Sequence, residues 1–421
     1  MNKKLKQFFK KLGPGFITGA SDDDPSGIAT YSQTGAHFSF QQLWMSFFTF
    51  PFMTVIQEMC GRIGLVTGKG LAGVMRVHYS KKLLIFSVTL LVVANTINIG
   101  ADLGAMASAM ALLVPIPFSI LLCLFTAIIL VLEIFVSYKK YVNYLKYFAL
   151  SLLAYVVTVF VVQLDWSAVL TAVVAPTITW SQAYSMNIVA LLGTTISPYL
   201  FFWQTDEEVE EEIATKKIKD FGEGKPHITI KDVRRMRSDT IFGMLFSNLI
   251  MFFIMATAAA TLGSAGITNI QTAADAAQAL KPLAGNLASL LFTLGIVGTG
   301  LLAVPVLAGS ASYAVSESFS WKEGLYRKFS QAHGFYGVIT IATLIGLVIN
   351  FTRIPPFSML YYTAVVNGMI SPILMMIILA IANNKKVMGN YTNSLVSNVF
   401  GLIITVVMTI ASLVLLWTFL F

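Results

Sequence analysis

Asp22, Asp23 and Asp24 stand in a row inside "SDDDPSGIAT" (21–30), a stretch otherwise apolar enough to enter a lipid bilayer. A carboxylate at the bilayer centre costs roughly 3 kcal/mol on insertion scales unless it faces protein or water. Three such acids imply a compensating group, and a cation is the simplest one. Pro25 has no backbone N–H to donate and Gly27 weakens helix continuity, so the chain is expected to unwind around Asp24 to Gly27 and release carbonyls beside a carboxylate. Helical neighbours point about 100° apart, so the three acids are not equivalent. Asp24, at the break, is the expected metal ligand; Asp22 and Asp23 line a vestibule or cap the half-helix.

A second interruption, "GTTISPYL" (193–200), has the same character. Gly193, Ser197 and Pro198 predict an unwound turn with carbonyls released near Thr194 and Thr195. Thr194 and Ser197 are candidate ligands, with Thr195 and Tyr199 beside them. Two such turns facing each other would make an oxygen-rich cavity suited to hard cations, since softer metals are selected by sulfur ligands. No Met, Cys or His occupies either break. Proline kinks alone are tolerated in membrane helices, but they do not account for three acids. Elsewhere, "NTINIGADLGAM" (95–106) offers Asn95, Asn98 and Asp102 for a water-filled path, with interhelical hydrogen bonds an equal reading for the asparagines. "VVNGMISPIL" (365–374) offers Asn367 beside Gly368.

The elements that must position these residues are membrane helices. Of the 421 residues 56% are hydrophobic and 11% charged, with mean hydropathy +0.76, whereas soluble domains carry about 25% charged residues. Apolar runs long enough to span fall at 13–35, 41–65, 83–112, 116–137, 142–164, 184–204, 239–262, 285–311, 335–351, 357–382 and 393–420. With residues 1–12 as a cytosolic tail, 26 of the 28 Lys and Arg fall on one side, all but Lys281 and Arg353. That is the bias of cytosolic loops, and it explains the net charge of +8 without invoking nucleic acid. The C-terminus then lies outside, in a multi-pass protein of the plasma membrane.

The acidic head and basic tail of residues 205–240 read as a solvated helical connection with paired charges, favoured over a regulatory cation site. Glu58 and Glu133 read as interfacial. Cys60 and Cys123 lie in apolar runs and form neither a disulfide framework nor a thiolate cluster. There is no nucleotide-binding loop, zinc motif or His-centred triad, so an enzyme is not expected. Interruptions recurring five spans apart point to an inverted-repeat transporter with its site at the midplane.

"GPGFITGASDDDPSGIATYSQTGA" (13–36) resembles the first-helix signature of the NRAMP divalent-metal transporters, with the same seven-residue gap between GPGF and Asp-Pro. "IQEMCGRIGLVTGKGL" (56–71) and "ADLGA" (101–105) are similar to that family's second- and third-span motifs. The resemblance implies an all-α integral membrane protein of eleven transmembrane helices. Its LeuT-type 5+5 inverted repeat would comprise 13–164 and 184–382, with helices 1 and 6 broken, a cytosolic loop at 205–238, and the eleventh helix at 393–421.

The departures matter as much. Members usually read Asp-Pro-Gly-Asn and Ala-x-x-Met-Pro-His where this chain has Asp24-Pro25-Ser26-Gly27 and Thr194-Thr195-Ile196-Ser197-Pro198-Tyr199. The ligand Asp is kept as Asp24, the ligand Asn becomes Gly27, and the ligand Met becomes Ser197. A branch of NRAMP-related magnesium transporters shows this kind of replacement. Mg²⁺ dehydrates reluctantly and is usually held by one or two carboxylates plus waters. The family's proton relay is thinned as well: Ala105 replaces a Glu, Tyr199 replaces the His, and the ninth span has no arginine.

The expectation is a secondary transporter importing Mg²⁺, with Mn²⁺ as a further cargo, partly hydrated and not proton-coupled. The alternatives are a proton-coupled Mn²⁺/Fe²⁺ importer, a carrier of an organic or amine substrate using Tyr199, Phe201, Phe202 and Trp203, and a metal-gated sensor. No cofactor is implied. The expected partners are the divalent cation and the lipid bilayer, and a monomer would suffice.

Overall fold

A helix buries its apolar stripe against neighbours and, in a membrane, turns its remaining apolar face to lipid. Both faces are visible in the computed structural model, which describes residues 13–136, 149–162, 164–179, 181–224, 226–352 and 354–420. All regular elements among these residues are helical. Residues 1–12, part of the fifth expected span (142–148) and Arg353 lie outside the described residues. Among the described residues, seven helical stretches are long and apolar enough to cross a bilayer. The other expected spans that can be followed are helical in shorter or more polar pieces. In the helix Phe118–Phe135, Ile120, Leu124, Ile128, Val131 and Phe135 are all exposed at helical spacing, an uninterrupted lipid-facing stripe.

The first expected span is two helices, α1 (Pro14–Asp22) and α2 (Pro25–Phe38). The chain continues with α3 (Trp44–Thr67), the short α4 (Leu71–His78), α5 (Lys81–Met110), α6 (Phe118–Phe135), α7 (Leu153–Val161) and α8 (Trp166–Val174). The sixth span is likewise split, into α9 (Gln182–Thr195) and α10 (Pro198–Ala214). After them come α11 (Ile230–Ala258), α12 (Ala288–Phe319), α13 (His333–Ile349), α14 (Pro356–Asn383) and α15 (Leu395–Leu420).

Local chemistry sets many of these starts. Asp24, Ser80, Ser181 and Thr229 cap α2, α5, α9 and α11 by accepting a backbone N–H with a side-chain oxygen. Pro25 and Pro198 occupy the first positions of α2 and α10, where a missing N–H has no helical partner to lose.

The broken helices are held by unusually close contacts. α1 lies along α11, where a Cβ on Gly19 would come within 2.2 Å of the Gly243 carbonyl oxygen. At the other break, a Cβ on Gly193 would meet the Ala364 carbonyl oxygen at 2.0 Å and the Gly368 nitrogen at 2.2 Å. Small residues that let backbones touch are the usual means of packing membrane helices. Gly193 is therefore an α9–α14 packing residue within a continuous helix, not the breaking residue expected from sequence.

The expected loop at 205–238 is shorter than the sequence suggested. α10 continues to Ala214 and α11 begins at Ile230, leaving 215–229 as the connection. The acids of α10 are not solvated: Asp206, Glu207, Glu208, Glu210 and Glu212 are buried, because this helix packs against α3, where a Cβ on Gly64 would touch the Thr205 carbonyl oxygen. Glu210 accepts from the Tyr313 hydroxyl at 2.6 Å and the Leu325 amide at 2.7 Å. Glu58 and Glu133 are buried too, and Glu58 pairs with Arg62 at 3.1 Å and Arg237 at 3.0 Å.

Replacing Gly19 by alanine is expected to cost about 1–3 kcal/mol through overpacking of α1 on α11. The readout is a lowered melting temperature in detergent; an unchanged one would show that this contact does not anchor the half-helix.

Candidate metal centre

Asp23 and Asp24 are the two residues between α1 and α2, so the break lies at and just before Asp24 and the helix has resumed by Gly27. The reason is the cap. Asp24 Oδ1 accepts from the Gly27 amide and the Ser26 hydroxyl, each at 2.7 Å, which starts α2 immediately after the proline. The partial positive charge of that helix start falls on the Asp24 carboxylate. Its other oxygen accepts from Asn98 Nδ2 at 3.0 Å, and the same amide reaches Asp102 Oδ2 at 3.3 Å. α5 thus brings Asn98 and Asp102 to the first break, Asn98 through an interhelical hydrogen bond to Asp24.

The second break, Ile196 and Ser197, is adjacent. A Cβ on Gly27 would lie 3.2 Å from the Asp22 carbonyl oxygen and 3.4 Å from Thr194 Oγ1. Gly27 thus sits between the two interruptions, close to both. Tyr199, one turn into α10, donates its hydroxyl to the Ser21 carbonyl at 3.0 Å and ties α10 to the end of α1.

Asp22 and Asp23 have a partner that the sequence reading did not identify. Ser247 of α11 lies 2.6 Å from Asp22 Oδ2 and 3.3 Å from Asp23 Oδ1. Its signal was available in the polar pair Ser247 and Asn248 within the apolar run 239–262. All four acids, Asp22, Asp23, Asp24 and Asp102, are essentially inaccessible to solvent. Asp22 Oδ1, Asp23 Oδ2, Asp102 Oδ1 and Asn98 Oδ1 have no hydrogen-bond partner. No Lys, Arg or His pairs with any of the four acids among the described residues. A buried carboxylate without a countercharge is strongly unfavourable in its charged form and is relieved by a proton or a cation.

Other expected residues take different places. The Ser197 hydroxyl turns back onto its own chain, at 2.7 Å from the Gly193 carbonyl and 2.9 Å from that of Thr194, which occupies one of the carbonyls expected to be released. Thr195 Oγ1 donates to the Leu191 carbonyl at 2.8 Å. The Thr194 hydroxyl faces Gly27 and remains a candidate ligand. Asn95 belongs to an interhelical contact: it donates to the Leu307 carbonyl at 2.9 Å and Ser310 Oγ at 2.7 Å, both on α12. Asn367 is buried in α14, beside the Gly368 that packs on α9. Met106 was not anticipated; its sulfur packs at Gly300 of α12, where Pro25 also approaches.

No three acidic, His or Cys side chains among the described residues converge closely enough to hold one ion together. What the breaks offer is one capped carboxylate, nearby acids and backbone oxygens. A cavity of about 260 Å³ lies between the α2, α9 and α14 ends, lined by Gln33, His37, Asn187 and Tyr361 among others. The aromatics Phe201, Phe202 and Trp203 do not line it; they are buried, with Trp203 packed over Gly309.

Two interrupted helices meeting at buried carboxylates inside a helical membrane bundle define a broken-helix transporter. The chain belongs to the Nramp family, described as natural resistance-associated macrophage protein-like, whose model matches residues 15–418. It is accordingly a multi-pass membrane transporter and not an enzyme, and the family carries no cofactor, the metal ion being cargo.

Curated relatives include the divalent metal cation transporter MntH of Klebsiella pneumoniae, 25% identical over 91% of this chain and 88% of the relative. The MntH of Vibrio campbellii is 26% identical over 93% of this chain and 88% of its own length. The manganese transporter of Eremococcus coleocola superposes with a TM-score of 0.76 at 16% identity, over 98% of this chain and 87% of the other. The nucleobase-cation-symport-1 transporter Mhp1 superposes with a TM-score of 0.59 at 12% identity, over 97% and 93%. Both likenesses establish the fold.

Ser247→Ala removes the hydroxyl partner shared by Asp22 and Asp23 and is expected to cost about 1–3 kcal/mol. Ser247→Thr, which keeps the hydroxyl, should retain most of the melting temperature; equal behaviour of the two variants would contradict the assignment.

Proposed function

We propose that this chain imports a divalent cation, Mg²⁺ foremost and Mn²⁺ as a second cargo, partly hydrated at the site and without obligatory proton coupling. The observation that carries this reading is the Asp24 break: a capped carboxylate among buried acids that lack a basic partner, with no sulfur or imidazole in either interruption. Asp24 is the anionic ligand, the Asp22 carbonyl and Thr194 complete the protein's share, and water fills the rest. Ser197 contributes less, since its hydroxyl turns to its own backbone. So few fixed ligands suit an ion that gives up water reluctantly and is held by one or two carboxylates.

The case against coupling rests on the groups around Asp24. It is joined to Asp102 only through Asn98, an amide that does not titrate. At the position of the family's His, the Tyr199 hydroxyl is engaged with the Ser21 carbonyl. A proton relay needs groups that titrate near working pH. The membrane potential supplies a driving force instead, about 2.3 kcal/mol per charge per 100 mV. The orientation we assign is the one set by the basic loops: N-terminus cytosolic, C-terminus outside, eleven spans in two inverted repeats, in the plasma membrane.

A proton-coupled Mn²⁺ importer is the second reading, favoured by the relatives' names. The two separate in proteoliposomes offered Mg²⁺ or Mn²⁺ while a lumenal dye follows pH. Saturable Mg²⁺ entry without acidification is expected, and Asp24→Ala should reduce it at least about tenfold, the equivalent of 1.4 kcal/mol. Mn²⁺-only entry with acidification would replace our reading with the second one.

A further inference from the structure

Away from the breaks, on the side of the basic loops, a second set of acids surrounds a cavity of about 100 Å³. Its walls include Glu208, Glu211 and Glu212 of α10 and Asp232 and Asp239 of α11. Two bases, Lys217 and Arg235, share the lining. Both are engaged: Lys217 with Asp232 at 2.8 Å, Arg235 with Glu211 at 3.8 Å.

Glu212 is different. It is 2% exposed, lines the cavity, and neither carboxylate oxygen has a hydrogen-bond partner. Neighbouring Glu208, also buried, has one oxygen accepting from Gln204 Nε2 at 2.9 Å. Lys217, the base whose charge acts on Glu212, is already paired with Asp232, and a buried carboxylate without a hydrogen-bond donor is strongly unfavourable in its charged form unless a further cation joins it. The cavity has room for several waters. No three acids among the described residues already converge on one point, so an ion held here keeps part of its water, as Mg²⁺ does.

The position of the cavity gives the consequence. Gly13 and Pro14, the entry to α1, form part of its wall. The Asp239 carboxylate fastens that entry by accepting from the amides of Gly13 at 2.9 Å, Gly15 at 2.8 Å and Phe16 at 3.3 Å. α1, α10 and α11 thus meet at one acidic chamber below the Asp24 break.

The geometry points to a second, regulatory divalent-cation site in this chamber, with Glu212 and Glu208 as its principal anions. A hydrated cation there bridges the three helices and holds the cytosolic side closed, so that accumulated ion slows its own entry. The regulatory part rests on the transport reading and orientation given above; the binding part does not.

The test therefore has two arms on the full-length protein. In an Asp24→Asn background, which weakens the transport site, Mg²⁺ should still raise the melting temperature by about 2 °C or more. Adding Glu212→Gln should abolish that shift, and Glu208→Gln should at least halve it. No Mg²⁺-dependent shift in Asp24→Asn, or a full shift in both double variants, overturns the site.

In the second arm, initial uptake of labelled Mn²⁺ is compared in proteoliposomes with and without internal Mg²⁺. Internal Mg²⁺ should slow the wild type about threefold and leave Glu212→Gln unaffected. Uptake that ignores internal Mg²⁺ in the wild type overturns the regulation. Absence of any uptake overturns the transport reading, and the melting arm still decides the site.

Discussion

A helix that stops inside a membrane leaves backbone groups without partners where no water can reach them, and the rest of this structure depends on how those groups are satisfied. At the first break, Asp24 answers the amides that begin α2. The carbonyls that end α1 are answered in part by Tyr199. At the second break, Ser197 answers two carbonyls of α9. What remains unanswered is negative: free carboxylate and carbonyl oxygens around Asp22, Asp23, Asp102 and Asn98. A bound cation is the partner we propose for that arrangement.

This explains why the departures from the family's usual motifs cluster where they do. A Cβ at Gly27 would press on the Asp22 carbonyl and touch the Thr194 hydroxyl, so the glycine that stands where the family resemblance puts an asparagine lies between the breaks. Tyr199, in the place of a titratable His, becomes a structural tie between α10 and α1.

Much of this was legible in the sequence because the signals were costly ones. Three acids in an apolar run, a proline beside them, and a second Pro-containing interruption five spans later identify the breaks and the class of cargo. The errors came from what sequence does not encode locally. Gly193 was read as a breaker because glycine lowers helix propensity, but its role depends on Gly368 of a helix far along the chain. The acids of 205–214 were read as solvated because they are charged, yet they continue α10 into a packed interface with α3. Asn95 was ambiguous between a water path and an interhelical bond, and only the position of Leu307 and Ser310 decides it. Ser247, on a helix more than two hundred residues from the acids it serves, could have been found only as an unexplained polar side chain in an apolar run.

The central claim is that Asp24 holds a divalent cation with few other protein ligands. The most direct measurement is the anomalous scattering of Mn²⁺ bound to the crystallised protein. The account predicts a peak in direct contact with the Asp24 carboxylate, about 2 Å away, with backbone or Thr194 oxygen as its further protein ligands and water completing the shell. A principal peak away from Asp24, or one coordinated by the Met106 sulfur and a full set of side chains, would contradict it.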